Sequence, residues 1–89
     1  MTKPSQWQVV VTPSVKKQLA RLERPERERI IQVLDNLRYN PFNFDVRPLK
    51  GRPEWRLRVG RWRVILRVDQ QNLVIVAVSL GPRGDVYKK

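Results

Sequence analysis

The sequence predicts an α+β domain of order β-α-α-β-β-β, a helical hairpin packed on one face of a small antiparallel sheet. Three observations point to it. Residues 55–68, WRLRVGRWRVILRV, place bulky apolar residues at every second position on either side of a Gly-Arg pair, the period of a strand hairpin. Residues 13–39 instead space their apolar residues three and four apart, the period of helices. Residues 73–80, LVIVAVSL, are apolar on both faces, as a strand with neighbours on each side requires. At 89 residues the chain reads as a single domain over 1–89, with room for one core and two layers.

The elements follow in order. Residues 7–11, WQVVV, are β-branched and aromatic and form the first strand. Thr12 is a good N-cap and Pro13 suits the first helical position, so a helix begins there, with Val15, Leu19 and Leu22 on one face. Pro25 disfavours helix at the residue before it, which puts a break at 23–24 and a second helix over 26–39. Ile30, Ile31, Leu34 and Leu37 make its apolar stripe, and Asn40-Pro41 stops it. Residues 40–54, NPFNFDVRPLKGRPE, carry three prolines and a glycine and read as loop, pinned by Phe42, Phe44 and Leu49. Strands at 55–59 and 62–68 then meet at a two-residue turn whose leading Gly60 favours a tight hairpin. A turn at Asp69–Asn72 leads to the third strand of this run, placed centrally in the sheet.

Composition narrows the function. Nineteen Lys and Arg against eight Asp and Glu give a formal charge of +11. Self-repulsion at that density opposes compactness, so the charge points to polyanionic partners. A membrane is the weakest of these, because no apolar run approaches the roughly 20 residues that span a bilayer. The first residues, MTKPSQW, lack the apolar stretch of a signal peptide, which makes a cytoplasmic location the expectation. With no cysteine there are no disulfides or thiolate zinc sites, and with no histidine the commonest metal ligand and general base are missing. No cofactor and no metal are expected.

Strand parity locates the cations. Side chains alternate faces, so Trp55, Leu57 and Val59 point one way and Arg56 and Arg58 the other. In the second hairpin strand Trp62, Val64, Leu66 and Val68 oppose Arg63, Ile65 and Arg67. The apolar sets must face the helices, which leaves Arg56, Arg58 and Arg63 together on the uncovered face. Cross-strand neighbours lie about 5 Å apart, so these like charges repel unless an anion sits between them. Arginine is also the residue that grips phosphate bidentately, and such a cluster suits a polyphosphate backbone.

Four segments in order and spacing carry a resemblance: VTPSVKKQLARL, then NPF with VRPLKG, then WRLRVGRWRVILRV, then VSLGPRGDVYKK. Along nearly its whole length the chain resembles the RelE/ParE superfamily of toxins from bacterial and archaeal toxin–antitoxin pairs. The resemblance implies a RelE-like fold and one of two activities, cutting of mRNA in the ribosomal A site or poisoning of DNA gyrase; a non-catalytic RNA-binding relative is the remaining alternative. Basic residues and a C-terminal tyrosine of the ribonuclease branch fall on Arg56, Arg58, Arg63, Arg83 and Tyr87. All five positions hold suitable groups, which favours a ribosome-dependent, metal-independent endoribonuclease that inhibits translation. There the ribose 2′-OH attacks the adjacent phosphate. Arg56 and Arg63 would hold that phosphate, Arg83 would sit near the leaving 5′ oxygen, and Tyr87 would stack on a base or orient the 2′-OH. Lys50, Arg52 and Arg61 are further candidate contacts to RNA. RelE has lysines at the positions of Arg56 and Arg58, one of them a proposed general base, and arginine does not give up its proton. The base would then be Tyr87, or positioning and charge stabilisation would dominate. A cognate acidic antitoxin, the ribosome and mRNA are the implied partners, with residues 13–38 and the edge strand supplying much of the antitoxin surface.

Overall fold

The computed structural model describes residues 6–82. The chain runs β1 (Gln8–Val11), α1 (Pro13–Ala20), α2 (Arg24–Asn36), a short 3-10 turn (Pro41–Asn43), β2 (Val46–Pro48), β3 (Trp55–Val59), β4 (Trp62–Asp69) and β5 (Val74–Pro82). Five strands make one sheet in the order β1-β5-β4-β3-β2. The α+β class and the helical hairpin on one face are as expected: α1 lies over β5 and α2 over β3. β5, apolar on both faces, has a strand on each side.

The sheet is mixed rather than antiparallel, because β1 pairs with β5 in parallel from Gln8↔Val74 to Val11↔Ala77. Apolar periodicity marks a strand without giving its direction. Direction follows from the connection, and the long passage from β1 to β5 through two helices and three strands is what a parallel pair needs. The second difference is β2, a three-residue edge strand inside the expected loop, paired Val46↔Leu57, Arg47↔Arg56 and Pro48↔Trp55. An edge strand tolerates Pro48, which has no N–H to donate.

The helices start and stop for local reasons. Thr12 caps α1: its Oγ1 accepts from the Val15 N–H at 3.4 Å and donates to the Ala77 carbonyl at 3.0 Å, tying the helix start to β5. Thr12→Ala removes both bonds and is expected to lower stability by about 1–2 kcal/mol, read as a lower urea midpoint at unchanged slope. α2 begins at Arg24, earlier than the expected 26, because Pro25 sits inside the first turn, where its missing N–H has no partner to lose. It ends at Asn36 rather than 39, in a tightened turn with Arg38 N–H on the Asp35 carbonyl and Tyr39 N–H on the Asn36 carbonyl.

The core lies between the helices and one sheet face. Ile30, Leu37, Leu57, Leu66 and Ile75 are fully buried there. Ile31 is not part of the buried stripe: it is 46% exposed and lines a groove with Val9, Val11, Leu19 and Leu34. Phe42 bridges Trp7 and Trp55, with ring centroids 5.9 and 5.6 Å apart, and Phe44 packs on the core, so these two pin the segment after α2 as expected, whereas Leu49 is not among the residues packed on the core. At the β3–β4 turn Gly60 has φ +60° while Arg61 stays at negative φ, the pattern of a type II′ hairpin turn.

Asp69 closes the β4–β5 turn. Its carboxylate accepts from the Gln71 and Asn72 N–H groups at 3.1 Å and from the Asn72 side-chain amide at 2.9 Å. These bonds, the Asn72 side chain's foremost, hold its carboxyl below the usual value. A carboxyl whose folded pKa lies below its unfolded one stabilises the fold above the unfolded value of about 3.9, and that contribution is lost as pH falls through the folded value. Acid titration of unfolding stability should therefore show a smaller loss below about pH 4 in Asp69→Asn than in the wild type.

Candidate nucleic-acid interface

The hairpin register sets the geometry of the arginine face. Arg58 lies directly opposite Arg63, and Arg56 opposite Ile65. β2 adds Arg47, directly opposite Arg56. Arg47, Arg56, Arg58 and Arg63 thus lie together on the sheet face that the helices leave uncovered, in two directly facing pairs, and Arg67 follows beyond Ile65 on the same face, 3.9 Å from Glu54. Ile65, 6% exposed on that same face, gives the cluster an apolar centre.

Two facing cations about 5 Å apart repel by about 1 kcal/mol in water and about 3 kcal/mol at an effective dielectric of 20. The structure supplies the anion that parity called for. Asp45, immediately before β2, places Oδ1 3.1 Å from Arg56 Nη1 and 3.7 Å from Arg47 Nε, and Oδ2 3.4 Å from Arg58 Nε. Only the Arg56 contact is a hydrogen bond. The Asp45 backbone is fixed as well, because its carbonyl accepts the Arg58 N–H at 3.0 Å. Among the described residues these four guanidiniums share the single carboxylate of Asp45, so positive charge predominates here. The Arg56 side chain is 14% exposed and Asp45 40%. Ion pairs this open to water are worth about 0–1 kcal/mol each, so Asp45 relieves repulsion without locking the arginines away from a second anion.

Sequence reasoning missed Asp45 and Arg47 because it took residues 40–54 as loop. The signal was present: Asp45 and Arg47 are two apart, so a strand through VRP puts both on the face that carries Arg56. The other candidates fall differently. Arg61 does not join the cluster. From its turn it reaches Glu26 of α2 at 3.3 Å and stacks over Trp62 at 5.5 Å, on the helix side of the sheet. Lys50 and Arg52 lie in the β2–β3 connection, with Arg52 3.7 Å from Glu54. Arg83 and Tyr87 lie outside the described residues. Among the described residues no group of three or more His, Cys, Asp or Glu is placed to hold a metal ion.

Comparison with known proteins agrees with this architecture. A family profile described as the ParE toxin of type II toxin–antitoxin system, parDE, matches residues 9–87. A search of curated proteins returned no match. Among solved structures, the archaeal RelE–RelB complex from Pyrococcus horikoshii OT3 is 32% identical, covers 90% of this chain and 98% of its own, and superposes with a TM-score of 0.77. The RelBE2 toxin–antitoxin complex from Mycobacterium tuberculosis also reaches 0.77, at 18% identity, covering 88% of this chain and 99% of its own. The isolated Escherichia coli RelE toxin reaches 0.70, at 17% identity, covering 91% of this chain and 88% of its own. With the family profile spanning most of the chain and the RelE-like fold shared throughout, the chain belongs to the ParE toxin family of type II toxin–antitoxin systems.

Proposed function

We propose that this toxin is a ribosome-dependent mRNA endonuclease that cuts in the ribosomal A site and so halts translation. The observation that carries the reading is the arginine face of β2, β3 and β4, with Arg56, Arg58 and Arg63 side by side on an open sheet surface. In the reaction the ribose 2′-OH attacks the neighbouring phosphorus and the 5′ oxygen leaves, giving a 2′,3′-cyclic phosphate and a 5′-OH. Negative charge grows on the non-bridging oxygens, which is where fixed guanidiniums act most strongly. Arg56 and Arg63 hold those oxygens and Arg58 adds charge between them. Arg83 and Tyr87, outside the described residues, are assigned by the family resemblance the roles of stabilising the leaving oxygen and of stacking on a base or orienting the 2′-OH. No step requires a metal ion. Arginine is a poor proton acceptor, so alignment of the substrate by the ribosome supplies much of the rate, and free RNA is cut very slowly.

The partner that silences the toxin is an acidic antitoxin in the cytoplasm. The Pyrococcus horikoshii relative was solved in complex with RelB. In this chain a groove at the β1 edge, lined by Val9, Val11, Leu19, Ile31 and Leu34 beside Asp35 and Arg38, offers an apolar seat with charged rims.

Induced expression in growing cells tests the activity against its alternative. Amino-acid incorporation should stop within minutes while the DNA-damage response stays silent. Damage signalling with intact mRNA would instead mark a gyrase-directed toxin.

A further inference from the structure

We propose that Asp45 is a built-in stand-in for the substrate phosphate: its carboxylate engages Arg56 and Arg58, two of the three guanidiniums that an RNA phosphodiester takes, and the phosphate must displace it. The proposal rests on reading the arginine face as the RNA site. The contacts of Asp45 divide as those of a bound phosphate would, one oxygen towards Arg56 and Arg47 and the other towards Arg58. Its backbone is held by the Arg58 N–H, so the carboxylate is delivered to the cluster by the fold and does not arrive there by chance. Its side chain is free to yield. Two of its three guanidinium contacts, at 3.4 and 3.7 Å, are ion pairs without a hydrogen bond, and the group is 40% exposed. A phosphodiester offers the same charge with two non-bridging oxygens, each able to take a guanidinium bidentately.

The consequence is selectivity. Asp45 competes equally with every phosphate, so it weakens binding of free RNA. A phosphate delivered and aligned by the ribosome arrives at high effective concentration and overcomes the competition. Removing the carboxylate should therefore tighten binding to free single strands and free arginines for phosphate contacts.

The test is anisotropy titration of a short, uncleavable 2′-O-methyl RNA against wild type, Asp45→Asn and Arg56→Ala over a range of salt. Asp45→Asn should bind about fivefold tighter or more at low salt. Its affinity should also fall more steeply with salt, the logarithmic slope growing by about 0.7 for each arginine released to a phosphate. Arg56→Ala should bind more weakly. Unchanged or weaker binding by Asp45→Asn, with Arg56→Ala weakened, would overturn the stand-in and leave Asp45 a structural counter-ion. Unchanged binding by Arg56→Ala would overturn the RNA reading of the face itself. If Asp45→Asn fails to fold, Asp45→Ser, smaller and uncharged, is titrated in its place with the same expectations.

Discussion

Arg56→Ala should reduce single-turnover cleavage of ribosome-bound mRNA by about 100-fold or more while leaving the protein folded. Removing one fixed donor from a developing oxyanion typically costs about 10²–10³ in rate, or about 2.7–4 kcal/mol. Arg56 is the arginine for which that full effect is expected. Its side chain is 14% exposed, it donates a hydrogen bond to the Asp45 carboxylate, and it lies in the register between Arg47 and Ile65. A guanidinium held that way reaches the reacting phosphate with little reorganisation. Arg47, 71% exposed and 3.7 Å from Asp45 at the sheet edge, is held far more loosely, and Arg47→Ala should cost less than about tenfold. Stability should fall by only about 1 kcal/mol in Arg56→Ala, because Asp45 keeps Arg47 and Arg58 and is not left as an unpaired charge. Arg56→Lys separates charge from shape: it keeps the cation but loses the planar fork, so a partial rescue measures how much of the effect is geometry.

One residue further along β3 the expectation reverses. Leu57 points to the opposite face and is fully buried against the helices. Leu57→Ala deletes buried methyl groups and leaves a cavity, which costs about 2–5 kcal/mol. A domain of this size is stable by roughly 5–15 kcal/mol in all, so the loss is a large fraction of the total. In calorimetry the melting temperature should fall by about 10 °C or more, since each kcal/mol is worth roughly 4–8 °C in a domain of 60–100 residues. The cleavage rate of the fraction that remains folded should stay near that of the wild type. Arg56 and Leu57, adjacent in sequence, thus separate activity from folding, and the separation follows from strand parity alone.

That parity is what made the site partly legible in the sequence. In WRLRVGRWRVILRV the apolar and cationic residues keep to opposite faces over both strands, so the shared face of Arg56, Arg58 and Arg63 followed before any register was known. The β3–β4 turn was legible because Gly60 supplies the positive φ that a two-residue turn demands. Three features were not. The direction of β1 depends on a pairing with β5 more than sixty residues away, and periodicity carries no sign of direction. β2 is three residues long, ends in proline and sits among turn-forming residues, so its local signal is that of a loop; only pairing with β3 makes it a strand. Losing β2 meant losing Asp45 and Arg47, the counter-anion and the cation opposite Arg56. Arg61 lies apart from the cluster for another reason: a turn residue has no strand parity, and Glu26 of α2 lies within its reach. Ile31 fits a helical stripe by spacing, yet α2 rests on the sheet along a narrower line through Ile30, Leu34 and Leu37.

The most direct test of the arginine face as an RNA-cutting site is to map mRNA 5′ ends by primer extension in a translating extract. Wild type is compared with Arg63→Ala, after both are shown to unfold at similar urea concentrations. Arg63 is the choice because it faces Arg58 across the hairpin and belongs to β4, a different strand from Arg56 and Arg58. The expected result is new ends within A-site codons, absent when ribosomes are omitted and lost in the variant. Intact mRNA with translation unaffected, or the same ends produced equally by Arg63→Ala, would contradict it.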